Sequence, residues 1–407
     1  MLALAELALV LDTDEDEKSL KAFQDTIPHM VTVLKQCVQA EDEEHTMQAF
    51  EVFQKLLSYE AAFLNAHFAH LMQFMMELGS NTELDDDSRV QALSFLMQAV
   101  RFRRIKVQGL RIGEQLTIKT LQIVTELGDL LSDDEEVTPA RSALGLLDVL
   151  SESLPPSQVA VPLLRALGQY VTNQNPDYRR AGILALGMCV EGAPDFISTQ
   201  LKEILPMVLH LLEDPEVRVR SAALTGIARL ADDLAEEVGK EHARLIPALV
   251  KNFDLAMAHI RDASASDHVT IVKGSCMAVD SLIEGLDKDD AAKYVDELIP
   301  RFMPLISYEN DIKVQTAAIG ALGSVASAAG DVFLPFFERT MQALAPYAVA
   351  KESNDDLELR GIVCDSMSKI ATAVGPEAFK SYLQPVMQAS EEALHLDNPR
   401  LKETSYI

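Results

Sequence analysis

The sequence predicts an all-α fold in which pairs of antiparallel helices stack into a superhelical solenoid. A helix–turn–helix unit recurs about every 35 to 55 residues and is plainest in LPMVLHLLEDPEVRVRSAALTGIARLAD at 205–232. Prolines mark the first helices, and no run shows the strict alternation of a β-strand. One such unit cannot bury its apolar faces alone, so copies must stack on each other. Solenoids present long surfaces, which favours a binding function.

The second helix of each unit carries a small residue nine positions after an apolar or aromatic one. Gly187, Gly226, Ser281, Gly323 and Ser368 follow this rule, at intervals of 39, 55, 42 and 45 residues. Nine residues span two and a half helical turns, so a neighbouring helix should approach closely at the small side chain. Near the start of these helices we expect a basic or polar residue to bond acidic loop residues or carbonyls of the adjacent repeat. The residues are Arg179, Arg218, Lys273, Gln315 and Arg360.

A proline near the start of an apolar run marks the first helices. In the first turn a proline loses no helical hydrogen bond, while farther in it kinks the helix. These prolines are Pro28, Pro162, Pro206, Pro247, Pro300, Pro335 and Pro385. Pairing the helices predicts a single solenoid over 1–407 with about eight complete units. We place the second helices near 44–58, 86–103, 136–153, 176–191, 215–232, 267–286, 310–329 and 355–373.

Both ends of the chain read as partial units. Residues 1–11 look like the tail of a second helix, and another second helix should begin at 398–400. We therefore expect a segment of a longer solenoid. A signal peptide is the alternative for 1–11, but the apolar run has no basic start and leads into the acids at 12–15.

The charge balance predicts basic partners. The chain has 35 basic and 63 acidic residues and a formal net charge of −28. Such a chain repels phosphate, so we expect no direct nucleic-acid binding. The sequence contains no run of 18 uncharged apolar residues, so we expect no membrane insertion. The four cysteines stand singly, which indicates reduced thiols without disulfides in the cytosol or nucleus.

Acids concentrate in loops and toward the ends of second helices. The loop runs at 12–17, 41–44, 85–87 and 133–136 fit solvation and the charge preference of helix N-termini. Helix acids repeated on successive second helices would form an acidic track for a Lys/Arg-rich peptide, although each taken singly also fits an ordinary surface acid. The cargo-binding candidates are Asp148, Glu191, Asp232, Asp233, Asp280 and Glu284.

No feature of the sequence predicts an enzyme. Phosphate-loop, H-E-x-x-H, G-x-S-x-G and C-x-x-C motifs are all absent. His67 and His70 lie three residues apart, but no third ligand stands near them in the sequence, so we expect no metal and no cofactor.

Four blocks of the sequence resemble the HEAT repeats of the importin-β, or karyopherin-β, family of nuclear transport receptors. They are 178–197, 205–230, 311–347 and 356–388. Their amino-acid sequences are most similar to the importin-four-like branch of the family, the fungal type that imports ribosomal proteins and histones. The resemblance implies an arch with second helices on the concave face, where basic cargo binds. It also implies Phe-Gly nucleoporin contacts between outer helices, release by Ran-GTP, and a location in cytoplasm, nucleus and the pore complexes of the nuclear envelope.

The resemblance also suggests which residues face nucleoporins. The candidates are phenylalanines of first helices, although rings at helical spacing are more often core residues. They are Phe63, Phe68, Phe74, Phe333, Phe336 and Phe337. The family's main Ran-binding surface lies in its first repeats, which we expect to be missing here. The alternative function is a HEAT scaffold of the phosphatase type, but such scaffolds have uniform repeats near 39 residues, unlike the intervals above.

Overall fold

Every regular element in the described part of the chain is a helix, which confirms the predicted all-α class. The computed structural model describes residues 1–10, 17–59, 63–128, 137–261, 266–308, 310–349, 353–396, 398–399 and 401–402. The predicted acidic runs at 12–16 and 133–136 lie outside these residues. The chain divides into two compact units, Met1–Ile197 and Ser198–Ile407.

The first unit contains the helices up to the division. They are α1 (Leu2–Ala8), α2 (Glu17–Gln24), α3 (Ile27–Gln39), α4 (Glu43–Ser58), α5 (Phe68–Ser80), α6 (Asp86–Phe102), α7 (Arg104–Leu110), α8 (Gly113–Val124), α9 (Pro139–Ser153), α10 (Ala160–Val171), α11 (Pro176–Cys189) and α12 (Pro194–Ser198), which ends at the division. Short 3-10 turns cover Thr125–Leu127 and Pro156–Gln158.

The second unit repeats the same plan. Its helices are α13 (Leu201–Leu211), α14 (Val217–Asp233), α15 (Ala235–Gly239), α16 (His242–Met257), α17 (Ser266–Glu284), α18 (Lys288–Ala292), α19 (Val295–Phe302), α20 (Ile312–Ala329), α21 (Leu334–Leu344) and α22 (Asn354–Leu394). The 3-10 turns are Met303–Leu305, Gly330–Phe333 and Tyr347–Val349.

Helices pack in pairs, and the second helices of successive pairs pack on each other. In the first unit the first helices pack on the second helices in the pairs α3 with α4, α5 with α6, α8 with α9 and α10 with α11. The second helices α4, α6, α9 and α11 stack on one another in chain order. In the second unit α13, α16, α19 and α21 pack on α14, α17, α20 and α22, which stack likewise. The bounds of the second helices agree with the predicted ones to within three residues, when α22 is counted as a second helix only up to Gly375. The sequence prediction missed the short connecting helices α2, α7, α12, α15 and α18.

Polar side chains at the interhelical turns fix where the second helices begin. Each accepts a hydrogen bond from a backbone N–H of the first turn, which satisfies a donor that the helix itself leaves unpaired. Asp42 and Asp85 do so for α4 and α6, so two of the predicted acidic loop runs act as caps. The same kind of cap begins α9, α11, α20 and α22, at Thr138, Asn175, Asp311 and Ser353. Glu216 at the start of α14, in contrast, makes no such side-chain bond.

Close contact at the small residue is confirmed at Gly323. A Cβ added there would lie 2.8 Å from the Ser366 Oγ and 3.0 Å from its Cα. The buried Ser366 hydroxyl in turn donates to the Ile319 carbonyl oxygen at 3.0 Å. Helices α20 and α22 can therefore approach this closely only because position 323 has no side chain.

Three of the five expected residues bond backbone carbonyls, and Arg360 alone of these three reaches an adjacent repeat. Arg179 donates to the Asn173 carbonyl at 2.8 Å, and Gln315 donates to the Ile306 carbonyl at 2.6 Å. Arg360 reaches the Ala389 carbonyl of the following helix segment at 2.6 Å. Two arginines that the prediction did not single out act in the same way, since Arg89 and Arg180 donate to the carbonyls of Gly79 and Gly128. The bonds of Arg360 and Arg180 join successive repeats, whereas those of Arg179, Gln315 and Arg89 to carbonyls lie within one repeat.

A single glycine divides the longest helix. Gly375 has φ 80° and ψ 170°, so α22 is a second helix up to that residue and a new first helix from Pro376 onward. The stretch Ile312–Leu344 is apolar and long enough to cross a membrane by composition alone. In the structure, however, its helix α20 packs between α17 and α22 and is largely buried, as expected of a core helix.

Candidate functional site

The predicted cargo acids all lie on second helices or just beyond their ends. Asp148 is on α9, Glu191 follows α11, Asp232 and Asp233 end α14, and Asp280 and Glu284 are on α17. The first two belong to the first unit and the other four to the second. Four of the six side chains are exposed, and Asp148 and Asp280 are half-buried.

In the second unit, Asp280 and Glu284 belong to a cluster that spans three second helices. We call Asp280, Glu284, Ser324, Asp365 and Lys369 the carboxylate cluster. Packing of α17 on α20 and of α20 on α22 brings these residues together. The Oδ2 atom of Asp280 lies 3.2 Å from where a Cβ of Gly320 would be. The missing side chain on α20 therefore leaves the space into which the Asp280 carboxylate fits.

A lysine ammonium lies at the centre of this cluster. The Lys369 Nζ donates to Glu284 Oε1 at 2.8 Å and to the Ser324 Oγ at 3.0 Å, and it lies 3.7 Å from Asp365 Oδ2. The Ser324 hydroxyl also donates to Glu284 Oε1, at 2.9 Å. Carboxylate and hydroxyl oxygens from three successive repeats therefore hold one ammonium group.

The electrostatics of the cluster differ between its two acids on α17. Burial raises the pKa of Asp280 to about 6, the Glu284 and Asp232 carboxylates act in the same direction, and Ser324 and Lys369 oppose them. Its Oδ1 atom is buried without a hydrogen-bond partner among the described residues. For Glu284, burial alone would raise the pKa, but hydrogen bonds from Lys369 and Ser324 outweigh it and leave the pKa lowered. Glu284 is thus firmly ionised, while Asp280 is poised to bind a proton.

The sequence prediction missed Ser324, Asp365 and Lys369. Two of them carried a usable signal, because Ser324 follows the small residue Gly323 and Lys369 follows Ser368. The residue after the small one is apolar in the three earlier units, so the polar residues at positions 324 and 369 distinguish the last two units from those three. Asp365 had no such mark.

Five of the six predicted nucleoporin-facing phenylalanines are core residues in this structure. Phe63 and Phe333 are fully buried, and Phe68, Phe74 and Phe337 nearly so, while Phe336 is half-buried. Their partners explain the burial, since Phe63 packs on Phe23, and Phe337 packs on Phe379 and Tyr382. These rings fill space between helices and do not offer themselves to a partner. Burial therefore favours the core alternative for these five rings, and Phe336 stays a candidate contact residue.

An open pocket in the second unit lies between the first helix α16, the second helices α14 and α17, and the turn before α14. It has a volume of about 420 Å³ and is lined by apolar and polar side chains from α16, α17 and the α13–α14 turn. Leu255 of α16 lines it and is 62% exposed, and the ion pair of Lys251 with Glu213, at 2.8 Å, borders it. Among the described residues no group of three His, Cys, Asp or Glu side chains could hold a metal ion.

The fold and the repeated helix pairs define a HEAT-repeat α-solenoid, and the HEAT-like repeat family matches residues 176–230. Two further family models match the ends of the chain. They are "Importin subunit beta-1-like, TPR repeats" over residues 259–407 and "IPO5-like, TPR repeats" over residues 2–74.

Curated relatives share nearly the whole of this chain. Probable importin subunit beta-4 of Schizosaccharomyces pombe is 33% identical over 95% of the chain and 35% of its own length. Importin-4 of Homo sapiens is 23% identical over 93% of the chain and 36% of its own length. The chain belongs to the importin-β, or karyopherin-β, family. It spans about a third of the length of the curated relatives it matches.

Solved structures of Kap121p have the same fold. The complex with the extreme C-terminus of the phosphatase Cdc14p superposes with a TM-score of 0.81 at 22% identity, covering 99% of this chain and 39% of that one. Kap121p has also been solved bound to Nup53p and to RanGTP, with TM-scores of 0.79 and 0.72 at 22% and 21% identity and the same coverage. Another Kap121p structure, with a TM-score of 0.79 at 20% identity, carries three acid-to-lysine substitutions at intervals of 43 and 42 residues.

Proposed function

We propose that this chain is a cargo-binding part of a nuclear import receptor and that carboxylates of its second helices bind Lys/Arg-rich segments of basic cargo such as ribosomal proteins and histones. The observation that carries the proposal is the ammonium of Lys369, held by Glu284, Ser324 and Asp365. The same helices present further carboxylates of the kind that hold it. Exposed Asp232 forms no ion pair within the described part of the chain. An incoming lysine would find the same chemistry there.

The spacing of three acids supports the proposal. Asp148, Glu191 and Asp233 stand at the same intervals, 43 and 42 residues, as the three acids replaced by lysine in the Kap121p mutant. Each lies near the end of a second helix or just beyond it. We include them as cargo contacts, each to be tested singly.

The test compares charge reversals on second and first helices. Asp232→Lys with Glu284→Lys reverses two exposed acids of second helices. Glu203→Lys with Asp296→Lys makes the same change in net charge on first helices α13 and α19, where both acids are also exposed. Fluorescence anisotropy with a Lys-rich peptide should show about tenfold weaker binding for the first pair and little change for the control. Equal weakening in both pairs would show that only net charge matters and would reject the second-helix site.

We propose that the pocket beside Leu255 receives a phenylalanine side chain of a nucleoporin. We also propose Ran-GTP as a partner of the whole receptor. The pocket is roomy enough for an aromatic ring, and its exposed leucine offers apolar contact. Leu255→Glu should reduce retention on Phe-Gly repeat resin. The control is Leu383→Glu, which alters another leucine that is 54% exposed. Transport between cytoplasm and nucleus through pore complexes follows from this proposal.

A further inference from the structure

The longest stretch without an acid in this chain is also rich in basic residues. Between Asp87 and Glu114 there are 26 residues without Asp or Glu, and six of the chain's 35 basic residues lie among them. Five of the six fall within the eleven residues Arg101–Arg111, RFRRIKVQGLR. This segment joins the end of α6 to the start of α8 through the short helix α7.

Two of the basic side chains in this segment fasten it to the preceding repeat. Arg103 donates to the carbonyl oxygens of Leu57, at 3.3 Å, and of Tyr59. The Lys106 Nζ donates to Asn65 at both its backbone carbonyl, at 2.8 Å, and its side-chain oxygen, at 2.7 Å. It also lies 5.4 Å from the centre of the Phe68 ring. Val107, which follows Lys106, is fully buried and adds an apolar anchor to the segment.

The residues next to these two anchors are exposed. Phe102 is 55% exposed and Ile105 is 86% exposed, which is unusual for side chains of this size. Arg101, Arg104 and Arg111 are exposed as well and form no ion pair or hydrogen bond with the described side chains. We call Arg101, Phe102, Arg104, Ile105 and Arg111 the basic corner.

Charge and apolar surface together narrow the choice of partner. Apolar side chains contribute little to contact with phosphates, whereas they bury well against a protein segment. A long polyanion such as nucleic acid or an anionic bilayer would also meet the field of a chain with a net charge of −28. A short acidic segment would stay near the corner, because salt screens the remaining charges beyond about 8 Å.

We propose that the basic corner is a docking surface for a short acidic protein segment that carries an aromatic or aliphatic side chain. Its arginines pair with the carboxylates of the segment, and Phe102 and Ile105 receive the apolar side chain. The partner has the opposite charge to basic cargo. One receptor would thus hold an acidic and a basic partner at separate places.

The experiment measures binding of the fluorescent octapeptide DEDLFDED to the whole chain, with DEDSSDED as the peptide lacking apolar side chains. Arg101→Glu with Arg104→Glu should weaken binding of DEDLFDED roughly tenfold or more. Its control, Arg165→Glu with Arg244→Glu, makes the same charge change at arginines that are 71% and 55% exposed. Phe102→Ser with Ile105→Ser should weaken binding too, whereas Leu383→Ser with Met387→Ser, which removes apolar residues of similar exposure, should not.

Several outcomes would overturn the proposal. They are no binding of DEDLFDED at millimolar concentration, equal binding of DEDSSDED, or equal losses in the control variants. Tighter Arg101-dependent binding of oligothymidylate or of phosphatidylserine vesicles would assign the corner to those ligands instead. Binding of a Lys-rich peptide, measured on the same variants, should be unchanged, which separates this proposal from the cargo proposal. Circular dichroism melts establish that the variants are folded.

Discussion

Replacing Asp280 by asparagine should stabilise the second unit at neutral pH. The Asp280 side chain is half-buried, and its Oδ1 atom has no hydrogen-bond partner within the described residues. At pH 7 this carboxylate is ionised in a place that favours its neutral form. Asp280→Asn removes the charge and keeps the shape of the side chain beside Gly320.

The magnitude follows from the pKa of Asp280, which burial raises from 3.8 to about 6. A shift of about two units corresponds to roughly 3 kcal/mol, which is the largest gain to expect, since the amide also needs partners. The sign follows from linkage. Because the folded pKa is raised, the contribution of Asp280 to stability is full below about pH 4 and is lost as the pH rises through about 6. The gain on substitution should therefore be roughly half as large at pH 5 as at pH 7.5.

Hydrogen–deuterium exchange of peptides from α17 and α20 is the assay, because a solenoid opens locally and its repeats unfold in parts. Wild type and variant are compared at the same pH, so the intrinsic pH dependence of exchange cancels. Glu391→Gln, which removes an exposed carboxylate from α22, is the control. A protection gain equal at pH 5 and 7.5, or absent at both, would refute the argument that burial of this carboxylate is costly.

Four further predictions test the carboxylate cluster, the packing at two glycines and the accessibility of the cysteines. Lys369→Met should strengthen binding of a Lys-rich peptide several-fold in anisotropy, because Glu284 loses its internal cation; weaker binding would contradict this. Gly323→Ala should lower the free energy of unfolding in urea by about 1–3 kcal/mol. Gly168→Ala, in α10 with no atom within 4 Å of the added Cβ, should raise it by roughly 0.5–1 kcal/mol. Maleimide should label Cys37 first, as measured by intact-protein mass spectrometry. Burial raises the pKa of Cys189 to about 12 and also protects the thiols of Cys276 and Cys364.

Much of the fold could be predicted because each second helix has both a periodic apolar face and a local start signal. Asp42 and Asp85 cap helices where the acidic runs were noted, and Gly323 lies at a close helix contact, as its spacing required. The short connecting helices carry no such signals. Helix α7, for example, is seven residues long and begins after Arg103, with no side-chain cap.

The site was less predictable because it depends on which surfaces meet. Lys369 and Glu284 are 85 residues apart in the chain, and only the stacking of three helices joins them. The sequence was also insufficient for the phenylalanines, since spacing could not distinguish a ring in the core, such as Phe63, from one at a cleft. The acid-free run around Arg101, by contrast, was visible in the sequence and became meaningful once Phe102 and Ile105 were found exposed.

The buried arginines affect how the protein meets its solution. Arg89, Arg180 and Arg360 are 4%, 5% and 1% exposed, and each donates to a backbone carbonyl inside the fold, while Arg89 also pairs with Glu126 at 2.6 Å. Some of the positive charge is thus buried, and the surface is more densely negative than the average composition suggests. Such a surface gathers small cations from solution, and a basic partner returns them to the bulk when it binds. In calorimetry, association with a basic ligand should therefore have a favourable entropy even though two molecules become one.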